Sequence, residues 1–148
     1  MRNPLITSAV VVLACAGTIA VTPTQAQAAT TLESRALSIA KSKNGDPYQY
    51  GAAGPYRFDC SGLTSYAFAH AGKTIPRTAD EQWTTRTIHH VYAKDRRPGD
   101  LVYFHYRSGY VYHVGIYAGG GYVWHAPHTG TTVREERIWT SMVWYGRP

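Results

Sequence analysis

"FDCSGLTSYAFAHAG", residues 58–72, is the stretch from which the fold of this chain can be worked out. Asp59 is a residue type that caps helix N-termini well, and Gly72 is a residue type that commonly ends helices. The apolar residues between them recur at helical spacing: Leu63, Ala67, Phe68 and Ala71. The stretch therefore predicts a helix over 60–71, with Cys60 in its first turn.

The first 28 residues have the composition of an export signal. A short positive start is followed by an apolar run over 5–21, and Ala26 and Ala28 then supply the small-x-small pattern that a signal peptidase accepts. We therefore expect cleavage after Ala28, with no stable membrane anchor left on the mature protein. The alternatives are a retained anchor and lipid modification of Cys15.

The remaining segment, residues 29–148, predicts one catalytic domain with one hydrophobic core. It carries 14 Lys and Arg residues against 9 Asp and Glu, a formal charge of +5. This balance favours an acidic partner, such as a cell-wall polymer, an anionic membrane surface or nucleic acid. Nucleic acid is the weakest of these, because only Arg96 and Arg97 are adjacent basic residues and no nucleic-acid-binding motif is present.

Helices are also predicted on either side of the opening stretch. Thr30 and Thr78 each stand three residues before a glutamate, which is the spacing of a capping box. Together with the apolar spacing after Thr30, they predict helices over 32–43 and 78–83.

Beyond residue 97 the sequence changes to short runs of β-branched and aromatic residues separated by turn residues. These runs predict strands over 101–104, 112–117, 122–125, 131–134 and 138–144. Short connections between successive strands favour antiparallel pairing. The expected fold class is α+β, with N-terminal helices packed on an antiparallel sheet of about five to six strands.

Cys60 is the only cysteine outside the predicted signal, so it has no disulfide partner within the mature chain. The N-terminus of a helix favours the thiolate, which would suit a nucleophile. Composition alone equally allows a small buried core residue. An intermolecular disulfide is a third possible use.

A nucleophilic cysteine normally needs a base, and seven histidines are available. A hairpin centred near residue 119 would set Gly115 opposite Val123 and His113 opposite His125, so that one ring could act on the thiol and the other could fix its tautomer. A slip of one residue would separate the rings. His105 is the main competitor for the base. No HExxH motif or second mature cysteine supports a metal site, so we expect neither a metal nor a cofactor.

Six short motifs then occur in a familiar order, in the stretches 47–51, 58–63, 75–78, 98–104, 113–117 and 125–126. With this layout the chain resembles the NlpC-type cell-wall cysteine peptidases, over residues 32–146. The resemblance implies a papain-like α+β domain that hydrolyses an amide bond in bacterial peptidoglycan stem peptides. The expected bond lies after a γ-linked D-glutamyl residue and before the diamino acid.

The resemblance also implies roles for individual residues. Cys60 would be the nucleophile, His113 the general base and His125 the residue that orients His113. Tyr48 would lie beside the cleft and contact the substrate or the tetrahedral intermediate. Asp59 and Ser61, which flank the thiol, would contact the amino end of the peptide. The family often has Trp and a second Gly where this chain has Tyr50 and Ala52, and this difference bears on specificity.

Two other functions fit the same residues. One is a peptidoglycan amidase or acyltransferase that uses the same cysteine and histidine. The other is a non-catalytic cell-wall-binding protein, in which the 12 Tyr, 4 Trp and 3 Phe residues form a glycan-binding face. In each case we expect a secreted monomer associated with peptidoglycan, with no nucleic-acid partner.

Overall fold

The computed structural model describes residues 30–148, and the predicted export signal lies outside them. Three helices come first: α1 (Leu32–Ser42), α2 (Cys60–Ala71) and α3 (Ala79–Thr84). Six strands follow: β1 (His89–Val91), β2 (Leu101–His105), β3 (Val111–Gly119), β4 (Tyr122–His125), β5 (Arg134–Arg137) and β6 (Val143–Arg147). A 3-10 turn over Ala93–Asp95 joins β1 to β2. No helix within residues 30–148 is long and apolar enough to cross a membrane.

The six strands form one sheet in the order β1-β6-β2-β3-β4-β5, and every neighbouring pair is antiparallel. Helix α2 packs against α1 and against β3, the strand near the middle of the sheet. The predicted α+β class, with helices followed by an antiparallel sheet, is confirmed.

The sheet separates a large core from a small one. On the helix side, Leu63 and Phe68 of α2 are buried together with Leu101 and Ile116 of the sheet. The opposite face carries a smaller buried cluster: Val102, Phe104, Tyr117, Val123 and Tyr145. This second cluster supplies the apolar surroundings for one half of the site described below.

The helix ends follow local capping chemistry. Asp59 caps α2, and Gly72 ends it in the left-handed conformation at φ 117°, as predicted. Thr78 forms the predicted capping box at the start of α3. The predicted cap of α1 is wrong by one residue, because the side chain of Thr31, and not that of Thr30, accepts from the backbone N–H of Ser34 at 3.1 Å.

The strands predicted over 131–134 and 138–144 are displaced, since the observed strands are β5 (Arg134–Arg137) and β6 (Val143–Arg147), and β1 was not predicted. The backbone at 131–133 is extended but bonds to the loop after α1: the Tyr48 N–H donates to the Thr131 carbonyl at 2.9 Å, and the Val133 N–H donates to that of Asp46 at 2.8 Å. The strand that does pair with β4 is the charged segment Arg134–Arg137. An edge strand of four charged residues lacks the apolar alternation by which strands are recognised in a sequence.

Candidate active site

The thiol lies at the start of α2, where short-range contacts hold the backbone. The Asp59 carboxylate accepts from the backbone N–H of Gly62 at 2.6 Å, which fixes the first turn. Gly62 lets the preceding loop approach, since a Cβ at this position would lie 2.0 Å from the Ala52 carbonyl oxygen. Cys60 is therefore positioned by its neighbours in the chain, and it is a free cysteine.

Burial raises the pKa of the Cys60 thiol above its ordinary value. Backbone N–H groups of Val114 and Ser61 oppose this effect by hydrogen bonding to sulfur, while the negative charge of Asp59 reinforces it. The position of Cys60 at a helix N-terminus predicted a lowered pKa for the thiol. The loss of solvent raises this pKa by more than the backbone donors lower it. At neutral pH the resting group is the thiol.

A polar cluster surrounds the thiol. Arg77 donates to both carboxylate oxygens of Asp59, at 2.7 and 3.0 Å, and to the hydroxyl of Ser61 at 3.0 Å. These residues line a cavity of about 460 Å³, here called the thiol cleft. Its lining also includes Tyr48, Tyr50 and Tyr112. The three predicted substrate contacts therefore share one cleft with Cys60.

Arg77 was not predicted as a site residue, although it lies in one of the sequence motifs. Hydrogen bonds from the Arg77 guanidinium to the Asp59 carboxylate raise the pKa of Arg77. The pKa of Tyr48 is raised by burial and then by the neighbouring Cys60 and Asp59. The thiol cleft thus combines a fixed cation with a protonated phenol.

The two predicted histidines meet on the β3–β4 hairpin. His113 Nε2 and His125 Nδ1 are 2.8 Å apart, and both side chains are buried. The predicted register is wrong by two residues, because Val123 pairs with Tyr117 and not with Gly115. A shift of two keeps every side chain on its face, so the rings still meet.

Gly115 makes room for the second ring. A Cβ on Gly115 would come within 3.0 Å of the His125 Cβ and within 2.5 Å of a Val123 methyl. Larger residues at 115 would therefore push β4 away from β3. Gly115 therefore has a structural role, which is to let β4 pack closely against β3.

A carboxylate extends the histidine pair. His125 Nε2 lies 2.8 Å from Glu136 Oε2, and Arg134 holds the other carboxylate oxygen at 2.7 Å. Both charged residues lie on β5, where Arg134 pairs with His125 and Glu136 pairs with Val123. Glu136 was missed because its position depends on a strand that the sequence did not reveal.

Apolar surroundings keep both rings neutral. The His113 ring lies between Phe104 and Trp139, with centroid distances of 5.3 and 5.9 Å. Burial, and then the neighbouring His125, lowers the pKa of His113 to about 3. Burial also lowers the pKa of His125, against the opposing effect of Glu136. The cavity of about 460 Å³ beside these rings, here called the histidine pocket, also has Tyr112 and His128 in its lining.

The thiol and the predicted base line two different cavities. Cys60 packs against the core cluster that contains Val114, the residue after His113. Within residues 30–148, no hydrogen bond joins the thiol to the His113 ring. Tyr112 lines both the thiol cleft and the histidine pocket. The competitor His105 lies elsewhere, with its ring stacked on Trp144 at 3.7 Å.

The described residues contain no group of three or more His, Cys, Asp or Glu side chains arranged to hold a metal ion. The chemistry available at the site is that of a thiol, two neutral imidazoles, a carboxylate and an arginine. Nucleophile, base and orienting group are the parts required for covalent acyl chemistry. The fold and the site thus define a candidate for this chemistry.

Comparison with known families identifies the chain further. The model of the NlpC/P60 family matches residues 45–146, and the chain belongs to this family. It is 40% identical over 135 residues to a probable endopeptidase of Corynebacterium glutamicum, covering 91% of this chain and 62% of that protein. The chain spans less than two thirds of the length of the curated relatives that match it first.

Solved structures give the same result. The structure of NlpC1 from Trichomonas vaginalis matches 83% of this chain and 45% of its own chain, with a TM-score of 0.71 and 33% identity. The NlpC/p60 domain of the peptidoglycan hydrolase SagA matches 78% of this chain and 97% of its own, with a TM-score of 0.68 and 27% identity. The family expected from the sequence motifs is confirmed.

Proposed function

We propose that this protein is a secreted cysteine endopeptidase that cleaves the stem peptides of bacterial peptidoglycan, at the bond between a D-γ-glutamyl residue and a diamino acid. The observation that carries the proposal is a free thiol, Cys60, in a cleft that shares Tyr112 with the pocket of a histidine pair, in which His113 Nε2 lies 2.8 Å from His125 Nδ1. Membership of the NlpC/P60 family and the probable endopeptidases among its relatives support the same activity.

The resting pair is neutral, so His113 acts as a general base when the nucleophile attacks. As the Cys60 sulfur attacks the carbonyl carbon, the thiol proton passes to His113 and a tetrahedral oxyanion forms. The backbone N–H of Cys60, at the start of α2, is one donor for this oxyanion, and the Tyr48 hydroxyl is a candidate for a second. Protonated His113 then gives its proton to the leaving amine, and water hydrolyses the thioester.

The charges of the site suit an anionic peptide. Stem peptides carry free carboxylates, and Arg77 in the thiol cleft and Arg134 in the histidine pocket are cations within reach of a bound chain. Asp59 and Ser61 reach the substrate through the cluster that they form with Arg77. The predicted export signal and the net positive charge support a location outside the cell, on the cell wall. The proposal includes a monomer without a nucleic-acid partner.

Product analysis tests this function. Purified peptidoglycan is incubated with the protein, and the released fragments are identified by mass spectrometry. We expect peptides that begin with the diamino acid. Release of whole stem peptides from the glycan would indicate the amidase. A new acyl linkage would indicate the acyltransferase, and retention on the polymer without release would indicate a wall-binding protein.

A further inference from the structure

Glu136 ends a chain of hydrogen bonds that begins at the predicted base. The His113 ring contacts His125 at 2.8 Å, and His125 contacts Glu136 at 2.8 Å. His125 is 1% exposed, whereas the Glu136 side chain is 35% exposed. The chain thus runs from the interior of the site to its surface, where Arg134 holds the second carboxylate oxygen.

We infer that Glu136 is a positioning residue that sets the tautomer of both histidines and so leaves His113 Nδ1 free to act as the base. The inference rests on the proposed role of His113. An ionised carboxylate can only accept, so His125 Nε2 carries the proton and donates it. The neutral His125 ring then has an unprotonated Nδ1, which accepts from His113 Nε2–H. His113 is left with a lone pair on Nδ1.

The electrostatics of the pocket agree with this proton arrangement. Partial burial opposes ionisation of Glu136, but hydrogen bonds from Arg134 and His125 outweigh it and lower the pKa of the carboxyl. The charged or titratable groups that line the pocket with the rings are Glu136, Arg134, His128 and Tyr112. Arg134 and His128 disfavour a positive charge on His125. Both rings are therefore neutral, and each has one N–H.

Glu136→Gln is a sharp test because Arg134 is present. The Arg134 guanidinium can only donate hydrogen bonds, so it binds the carbonyl oxygen of the new side-chain amide. The NH₂ group of that amide then faces His125 Nε2. His125 must then carry its proton on Nδ1 and donate to His113 Nε2, which moves the His113 proton to Nδ1. The variant keeps its shape, but the nitrogen needed as a base is protonated. A wrong tautomer of this kind costs a serine protease triad about 10⁴-fold in rate.

The experiment uses nitrogen-15 NMR of the histidine rings in the purified protein, together with kcat/KM on peptidoglycan fragments. We expect protons on Nε2 of both rings in the wild type and on Nδ1 of both rings in Glu136→Gln, with activity lower by about 100-fold or more. Glu135→Gln, on the exposed neighbour, is the matched control and should change neither readout. Arg134→Ala should keep the wild-type tautomers.

A second-site change separates this role from a structural one. In Arg134→Ala combined with Glu136→Gln, the amide carbonyl is free to accept from His125, so the wild-type tautomers should return and kcat/KM should approach that of Arg134→Ala alone. Unchanged tautomers in Glu136→Gln would overturn the inference, as would a tautomer change without loss of activity, or no rescue. If the wild type shows the expected tautomers but hydrolyses nothing, the proposed function fails and the tautomer assignment stands.

Discussion

Cys60 and His113 are brought to the site by two different kinds of contact. Asp59 caps the helix that carries the thiol through a bond to Gly62, three residues along the chain. The His113 ring depends on pairings between three strands, because His125 lies on β4 and Glu136 on β5. The thiol side is therefore local in sequence, and the histidine side is a product of the completed sheet.

The two sides also differ in the surroundings of their reactive groups. The thiol cleft places Cys60 beside an ion pair, with Arg77 bound to Asp59. In the histidine pocket, the Arg134–Glu136 ion pair lies beyond His125, and the His113 ring is buried, neutral and in contact with aromatic rings. Burial has opposite effects on the two groups: it raises the pKa of the Cys60 thiol and lowers that of His113. Both effects favour a neutral pair at rest.

Apart from removal of the thiol, the largest effect is expected on the histidine side. His113→Ala removes the general base, whose contribution to such reactions is about 10²–10⁴-fold, and kcat/KM should fall within that range. The assay is release of soluble peptides from peptidoglycan. The control is His105→Ala, since His105 stacks on Trp144 outside the site. If His105→Ala carried the loss and His113→Ala did not, the base would be assigned to the wrong ring.

A smaller effect is expected on stability as the pH falls. An unfolded histidine takes up a proton near pH 6.5, whereas the folded His113 resists protonation down to about pH 3. Protonation therefore favours the unfolded chain, and each such ring lowers the free energy of unfolding by up to about 1.4 kcal/mol per pH unit below pH 6.5. Above pH 6.5 the histidine is neutral in the unfolded chain as well, so protonation no longer lowers the free energy of unfolding.

Urea unfolding at pH 7.5, 6, 5 and 4.5 measures this dependence. His113→Phe should reduce the pH dependence of the free energy of unfolding by the contribution of one histidine. The control is His89→Gln, which changes an exposed histidine. Equal slopes for the wild type and His113→Phe would show that the ring is not held neutral.

The smallest effect is expected for a substitution in the thiol cleft, measured as a change in the substrate KM. Arg77→Met removes the partner of Asp59 but leaves the cap on α2 intact. Because the Arg77 side chain is 40% exposed, the ion pair contributes at most about 1 kcal/mol to stability. The substrate KM should rise several-fold, with kcat affected less. Arg57→Met, an exposed change nearby, is the control, and a KM no higher than that of this control would remove Arg77 from substrate binding.

The same division explains what could be predicted from the sequence. The bounds of α2 were predictable because Asp59 and Gly72 act on backbone groups within one turn. The meeting of His113 with His125 was predictable despite a register error of two, because side chains alternate with a period of two. The position of Glu136 was not predictable, since its charged edge strand has no apolar pattern and pairs only after β4 is in place.

The raised pKa of the thiol could not be predicted for a related reason. A sequence shows that Cys60 begins a helix, which favours the thiolate. It does not show how much solvent the folded sheet excludes from the sulfur, and that loss of solvent decides the direction of the shift. Contacts between sequence neighbours could be predicted, but burial by distant strands could not.

The rate at which Cys60→Ala releases peptides from purified peptidoglycan tests the central claim most directly. Ser65→Ala, a matched change on the same helix, shows whether α2 tolerates the loss of a small polar group. We expect no release above the uncatalysed background for Cys60→Ala, with circular dichroism and thermal unfolding like those of the wild type, and full release for Ser65→Ala. Release by Cys60→Ala at the wild-type rate would contradict the claim that this thiol is the nucleophile.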